Sequence, residues 1–144
     1  MSTLDPKPAP GAFTWPVRVY YEDTDAAGVV FYANYLRFLE RARTEWLRSL
    51  GFEQTLLARD HGVVFVVRAL TIEYLLPALF DDALEVTMKL IGARGCLIEA
   101  AQTVQRGGQT LVTAKVRIAC VGTQSFKPAR IPGSIIERIA MSQA

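Results

Sequence analysis

Two hydrophobic periods alternate along the chain, and each switch between them marks an element. In "VRVYYE", Val17, Val19 and Tyr21 alternate with Arg18, Tyr20 and Glu22, the two-residue period of a half-buried strand. From Phe31 the period lengthens. Phe31, Tyr35, Phe38, Leu39, Ala42, Trp46 and Leu50 fall in a narrow arc at 100° per residue, with Arg37, Arg41, Thr44, Glu45 and Arg48 opposite. This predicts one long amphipathic helix, stopped by Gly51. Arg43 projects from the flank of the apolar arc and has either to snorkel to water or to meet an acid.

Strand periods return downstream. "VVFVVRALTIEYL" is nearly continuous in its first half, as a central strand would be, and Pro77 ends it. "LEVTMKLI" sets Val86, Met88 and Leu90 against Glu85, Thr87 and Lys89; "TAKVRIACV" sets Ala114, Val116, Ile118 and Cys120 against Thr113, Lys115 and Arg117. "CLIEAAQTVQ" is a weaker strand between them, joined through the glycines of "GARG" and "RGGQ" as short hairpins require. The tail "IPGSIIERIA" reads as a short helix or an irregular cover. The order is strand, long helix, then four strands. A lone helix buries its stripe only if an antiparallel sheet wraps it, so the class is α+β with one bare sheet face. Bare face and edge strands together predict a homodimer.

Composition narrows the picture. With 144 residues, 51% of them apolar, the chain is one domain: a loose Pro-rich arm over 1–14 and a single domain over 15–144. Sixteen basic and fourteen acidic residues nearly balance, so the whole-chain field gives no reason to invoke nucleic acid or a membrane surface. The N-terminus has no apolar signal region and no segment long enough to insert in a bilayer, which predicts a cytoplasmic protein. Cys96 and Cys120 lie outside any Cys-x-x-Cys spacing and read as reduced core thiols.

Candidate chemistry is sparse. His61, the one histidine, falls in "ARDHGVV" and reads as an exposed loop residue; with no second histidine, neither a His-based metal site nor cofactor chemistry is expected. No nucleophile elbow, phosphate loop or dinucleotide fingerprint occurs. What stands out is "YYEDTDAAGVVFYANY", with Glu22, Asp23 and Asp25 crowded ahead of the helix. As turn residues, Asp23, Thr24 and Asp25 bond to backbone and Gly28 relaxes the turn. As a site, a carboxylate beside the orphan N–H groups of a helix start activates water or attacks, while those donors hold an oxyanion.

The run "RVYYEDTDAAGVVFYANYLRFLERARTEWLRSLGF", with "FVVRALTIEYLLPALFDDALEV" and "FKPARIP", resembles the hotdog-fold acyl-CoA thioesterases of the 4-hydroxybenzoyl-CoA thioesterase type, most of all their Tol–Pal-associated branch. The resemblance implies a hotdog fold and hydrolysis of an acyl-CoA thioester without metal or redox cofactor. It implies Asp25 as nucleophile or general base, and the backbone N–H of Tyr32 as oxyanion donor. Gly28, Arg94 and Lys127 are implied as substrate and CoA contacts, the two basic residues meeting CoA phosphates. The branch commonly has histidine where this chain has Tyr32, so proton transfer here falls to Asp25 and water or to the Tyr32 hydroxyl. Glu40, on the helix, is a second acid at the polar boundary; Asp23 is expected to cap the turn, and Asp81 and Asp82 to mark a bend. Implied partners are a second copy, assembling onward to a homotetramer, and acyl carrier protein or cell-envelope partners in the alternative of a weakly or non-catalytic binding module.

Overall fold

A computed structural model describes residues 12–143. Its elements are β1 (Phe13–Arg18), α1 (Tyr35–Ser49), α2 (Gln54–His61), β2 (Val63–Tyr74), β3 (Ala83–Arg94), β4 (Leu97–Arg106), β5 (Gln109–Gly122) and α3 (Gly133–Gln143). Short 3₁₀ turns at Tyr21–Asp23 and Tyr32–Asn34 lie between β1 and α1. The five strands form one antiparallel sheet in the order β1-β3-β4-β5-β2. The fold is therefore α+β, with the sheet curled around α1 in the hotdog arrangement. None of the helices described is long and apolar enough to cross a membrane.

Alternation decides which strand faces meet the helix. Val86, Met88 and Leu90 of β3, Ile98, Ala100 and Val104 of β4, and Val116, Ile118 and Cys120 of β5 are buried. They face the α1 stripe of Tyr35, Phe38, Leu39, Ala42, Trp46 and Leu47. A fully buried Phe38 or Leu39 contributes about 1.5–3 kcal/mol against leaving it in water. The β4–β5 hairpin needs both its glycines, because Gly107 and Gly108 take φ of 55° and 84° to close a two-residue turn. The tail helix α3 seals one end of the core with Ile135 and Ile139.

Several expectations change. The strand begins at Phe13, so the expected 1–14 arm cedes its last two residues to the sheet; residues 1–11 lie outside the described residues. Phe13 pairs with Met88 and Trp15 with Val86, and Pro16 is tolerated because β1 is an edge. The helix starts at Tyr35, leaving Phe31 on the preceding segment and 47% exposed. A second helix, α2, follows it, and His61 is its last residue and not a loop residue, exposed before the left-handed Gly62.

The largest correction concerns β2, which is an edge strand of the sheet, opposite β1, and not a central strand. Its β-branched run is continuous, yet Val66, Val67 and Leu70 are exposed in the single chain. The edge is closed at its start, where Gln54 mimics a strand by exchanging side-chain bonds with the Phe65 N–H (3.0 Å) and C=O (3.2 Å). From Val66 onward it is open.

Candidate active site

The segment from Val19 to Asn34 folds into a short hairpin ahead of the helix. Thr24 bridges Val30, and the Phe31 N–H donates to the Asp23 C=O at 3.0 Å. At its tip, the Asp25 N–H donates to the Val29 C=O (2.9 Å) and the Gly28 N–H to the Asp25 C=O (3.0 Å). Gly28 takes φ 80°, a conformation open to glycine without steric penalty. The Asp25 side chain takes the Ala27 N–H on Oδ1 at 2.8 Å, while Oδ2 has no partner among the described residues. Asp25 is thus a turn residue with one carboxylate oxygen to spare. It is exposed in the single chain, less desolvated than its apolar neighbours suggest.

Asp23 has the opposite character. It is 4% exposed and accepts the Tyr20 N–H on Oδ2 and the Asn34 amide on Oδ1, both at 2.9 Å. The expected cap is there, and it also ties the hairpin to the residue preceding α1. Asp23→Asn would turn an amide donor toward one of these two donors. A stability loss of about 1–3 kcal/mol is expected, the cost of leaving buried polar groups unpaired. Thermal melting checks it, and an unchanged midpoint would remove Asp23 from this role.

The Tyr32 and Ala33 N–H groups have no acceptor among the described residues. Both open the 3₁₀ turn that leads into α1, where the first amides lack partners within the helix and the dipole favours negative charge. The Tyr32 C=O is held by the Tyr74 hydroxyl at 3.0 Å, and its ring is 65% exposed. Beneath, burial pushes the Tyr35 phenol upward in pKa; its oxygen accepts the Ala78 N–H at 2.9 Å. Free carboxylate oxygen and free amides thus sit on one hairpin-to-helix unit, an arrangement suited to attack on, or water addition to, a carbonyl.

The other candidates lie apart. Arg94 caps the β3–β4 hairpin and Lys127 lies in the loop after β5; both are exposed, as is Arg130. Their segments converge, since the Ile131 N–H reaches the Gly95 C=O (2.8 Å) and the Cys120 N–H the Cys96 C=O (2.7 Å). None of the three is in an ion pair among the described residues. β3 runs from Ala83, beside β1, to Arg94, about 36 Å at roughly 3.3 Å per residue, so one chain holds the acidic hairpin and the basic end at opposite ends of its sheet. Glu40 is exposed on α1. Asp82, expected only to mark a bend, accepts bonds from Arg106 and from the Leu79 N–H.

A groove of about 600 Å³ runs between the C-terminal half of α1, α2 and the start of β2, lined by Trp46, Leu47, Phe65, Val67, Ile98 and Arg43 among others. Neither Asp25 nor Tyr32 of the same chain borders it. Arg43 resolves its two options differently from either. It donates to the Gln102 Oε1 at 3.0 Å, and burial lowers its pKa, countered by Glu40. Gln102, 1% exposed, returns its amide to the Leu39 (3.1 Å) and Thr87 (3.2 Å) carbonyls. Nothing in the periodicity pointed to this glutamine, which sits at an inward strand position.

Comparison with known proteins follows this geometry. Residues 19–139 match the model of the thioesterase-like superfamily. The acyl-CoA thioester hydrolase YbgC of Escherichia coli O6:H1 is 46% identical over 125 residues, 86% of this chain and 92% of the relative. The acyl-CoA thioesterase YbgC of Haemophilus influenzae is 45% identical over 123 residues, covering 85% and 90%. A solved structure of a probable thioesterase from Bartonella henselae superposes with a TM-score of 0.81 at 40% identity, covering 84% of this chain and 99% of the other.

Proposed function

The chain belongs to the thioesterase-like superfamily, and we propose that it hydrolyses acyl-CoA thioesters to a carboxylic acid and CoA, with Asp25 as the reacting carboxylate. The observation that carries the assignment of the acid is the spare Oδ2 of Asp25 on the hairpin whose far arm ends in the unpartnered Tyr32 and Ala33 amides. Asp25 either attacks the thioester carbonyl or draws the proton from an attacking water. The Tyr32 amide takes the developing oxyanion. The test is thiol release over a panel of acyl-CoAs. Turnover supports hydrolysis, whereas tight binding of acyl carrier protein without turnover favours a binding module for acyl carrier protein or cell-envelope partners.

Assembly is part of the proposal. β2 runs from Val63 at the basic end to Tyr74 at the acidic end, and its edge is open beyond Val66. Antiparallel pairing of two β2 edges joins the sheets of two copies and lays one copy's basic end beside the other's acidic hairpin. The same pairing brings the partner's hairpin toward the groove along Phe65 and Val67, which gives the acyl group an apolar seat. The outer sheet face, with Glu85, Lys89, Glu99, Lys115 and Arg117, is polar by comparison; dimers associate onward to the tetramer.

Arg94 then meets the CoA phosphates from across the dimer, with Lys127 beside it, and Gly28 lets the hairpin backbone approach the substrate. Arg94→Ala is expected to raise KM several-fold and leave kcat nearly unchanged, because a charge on the non-reacting end contributes alike to ground and transition states. The effect shrinks as salt rises. An unchanged KM at low ionic strength would return Arg94 to a solvated hairpin role.

A further inference from the structure

The acidic hairpin does not stand alone. It rests on the segment between β2 and β3, residues 75–82, through a series of backbone contacts. The Val30 N–H donates to the Ala78 C=O (2.9 Å) and the Phe80 N–H to the Gly28 C=O (3.3 Å), with Val29 bridging Leu79 between them. The Val19 N–H donates to the Asp82 C=O (3.0 Å) and the Asp81 N–H returns to the Val19 C=O (2.9 Å). Tyr21 stacks on Phe80 at 3.8 Å between ring centroids. The position of Gly28 and Val29, which close the turn around Asp25, is thus set by this segment.

What sets the segment is an ion pair. Asp82 Oδ2 accepts Arg106 Nη1 at 2.7 Å and the Leu79 N–H at 2.8 Å. The same Nη1 reaches the Pro77 C=O at 3.2 Å, and Nη2 reaches Gln109 Oε1 at 3.2 Å. Arg106 ends β4, an interior strand, and pairs with Gln109 where the β4–β5 hairpin closes, so the bend is anchored to the sheet at that hairpin. The pair is partly buried, its side chains 31% and 20% exposed, against 61% and 40% for Arg117 and Glu99 on the outer face. A pair sheltered to this degree is screened by solvent and salt less than the exposed one. Arg18 also touches the segment at the Asp81 C=O, from a more exposed position.

We infer that Asp82 and Arg106 are positioning residues for the reaction, holding Asp25 in register with the helix-start amides through the 77–82 bend and Gly28–Val29. The inference rests on the reading of Asp25 as the reacting group. Neither residue is assigned a contact with substrate. Their loss lets the turn drift while leaving the groove and the basic end in place, so apart from the Gly28 contact the substrate keeps its seat, and the loss falls on kcat more than on KM. Misplacement by about an ångström at a distance from the chemistry costs up to about 100-fold.

The test uses the full chain and the best acyl-CoA of the panel. Arg106→Gln is expected to lower kcat on the order of 10- to 100-fold with KM held within about twofold. Arg106→Lys, which keeps a cation for Asp82, is expected to recover a large part of that loss. Arg117→Gln, the same change on the outer face, should leave kcat alone. Circular dichroism and melting confirm that each variant is folded. Should Arg106→Gln fail to fold, Asp82→Asn, which keeps an acceptor for the Leu79 N–H, decides by the same split. A folded Arg106→Gln or Asp82→Asn with wild-type kcat, or one that raises KM alone, overturns the inference. If Asp25→Asn itself retains activity, the reading of the acid has failed instead, a result the Arg106 series does not produce.

Discussion

Asp25→Asn is expected to cost at least about a hundredfold in kcat while binding and melting temperature stay close to wild type, in line with the 10²–10⁴ that positioned acid–base groups contribute. The substitution is nearly isosteric. The amide oxygen still accepts the Ala27 N–H, so the turn survives, and the change falls on the oxygen that has no partner among the described residues. That separates the variant from Asp23→Asn, which breaks a buried tie between hairpin and helix and so reads out in stability. Glu40→Gln should retain most activity, because Glu40 is exposed on α1, on a different element from the free amides. The measurements are kcat and KM for the three variants, thermal melts, and binding of a non-hydrolysable CoA analogue. Near wild-type turnover by folded Asp25→Asn would remove the carboxylate mechanism and bring Glu40 forward.

The parts of this fold that were legible in the sequence are those written as local periods. Val86, Met88 and Leu90 alternate because one face of β3 is covered, and Gly107–Gly108 must be glycines because the turn demands two left-handed residues. The helix α2 escaped because eight residues carry little periodicity; it is held by Leu57 and by the Gln54 bonds to β2, both tertiary facts. β2 was misplaced for a related reason. A continuous apolar run reports a strand with apolar side chains on both faces, and it does not place that strand at the centre or the edge of the sheet. The acidic hairpin was visible as an excess of carboxylates, but their division of labour was not, since Asp23 and Asp25 differ only in what the fold puts around them. Asp82 and Arg106 lie 24 positions apart, in a bend and at a strand end, and no spacing rule connects them.

The edge of β2 carries the last expectation. Replacing Val67 and Leu70, 48% and 36% exposed in the single chain, with lysine places charges along a strand that two copies would otherwise pair. The expected product is a folded monomer by light scattering, with kcat/KM down by more than about a hundredfold, since the geometry of catalysis is then missing one side and a charge enters the groove that Val67 lines. A loss of activity alone would not show that the two sides come from different copies. Mixed dimers do. Asp25→Asn and Arg94→Ala subunits, co-expressed under two tags and purified through both, give a dimer with one copy's acid intact and the other copy's arginine intact. If acid and arginine act across the interface, one of its two sites is wholly wild type and the mixed dimer recovers about half the wild-type kcat/KM, although each parent dimer is impaired. If each chain serves its own site, both sites carry a lesion and the mixed dimer does no better than the average of the parents. That second outcome, or an active monomer at micromolar concentration, would place the whole site on a single chain and remove the pairing proposed for β2.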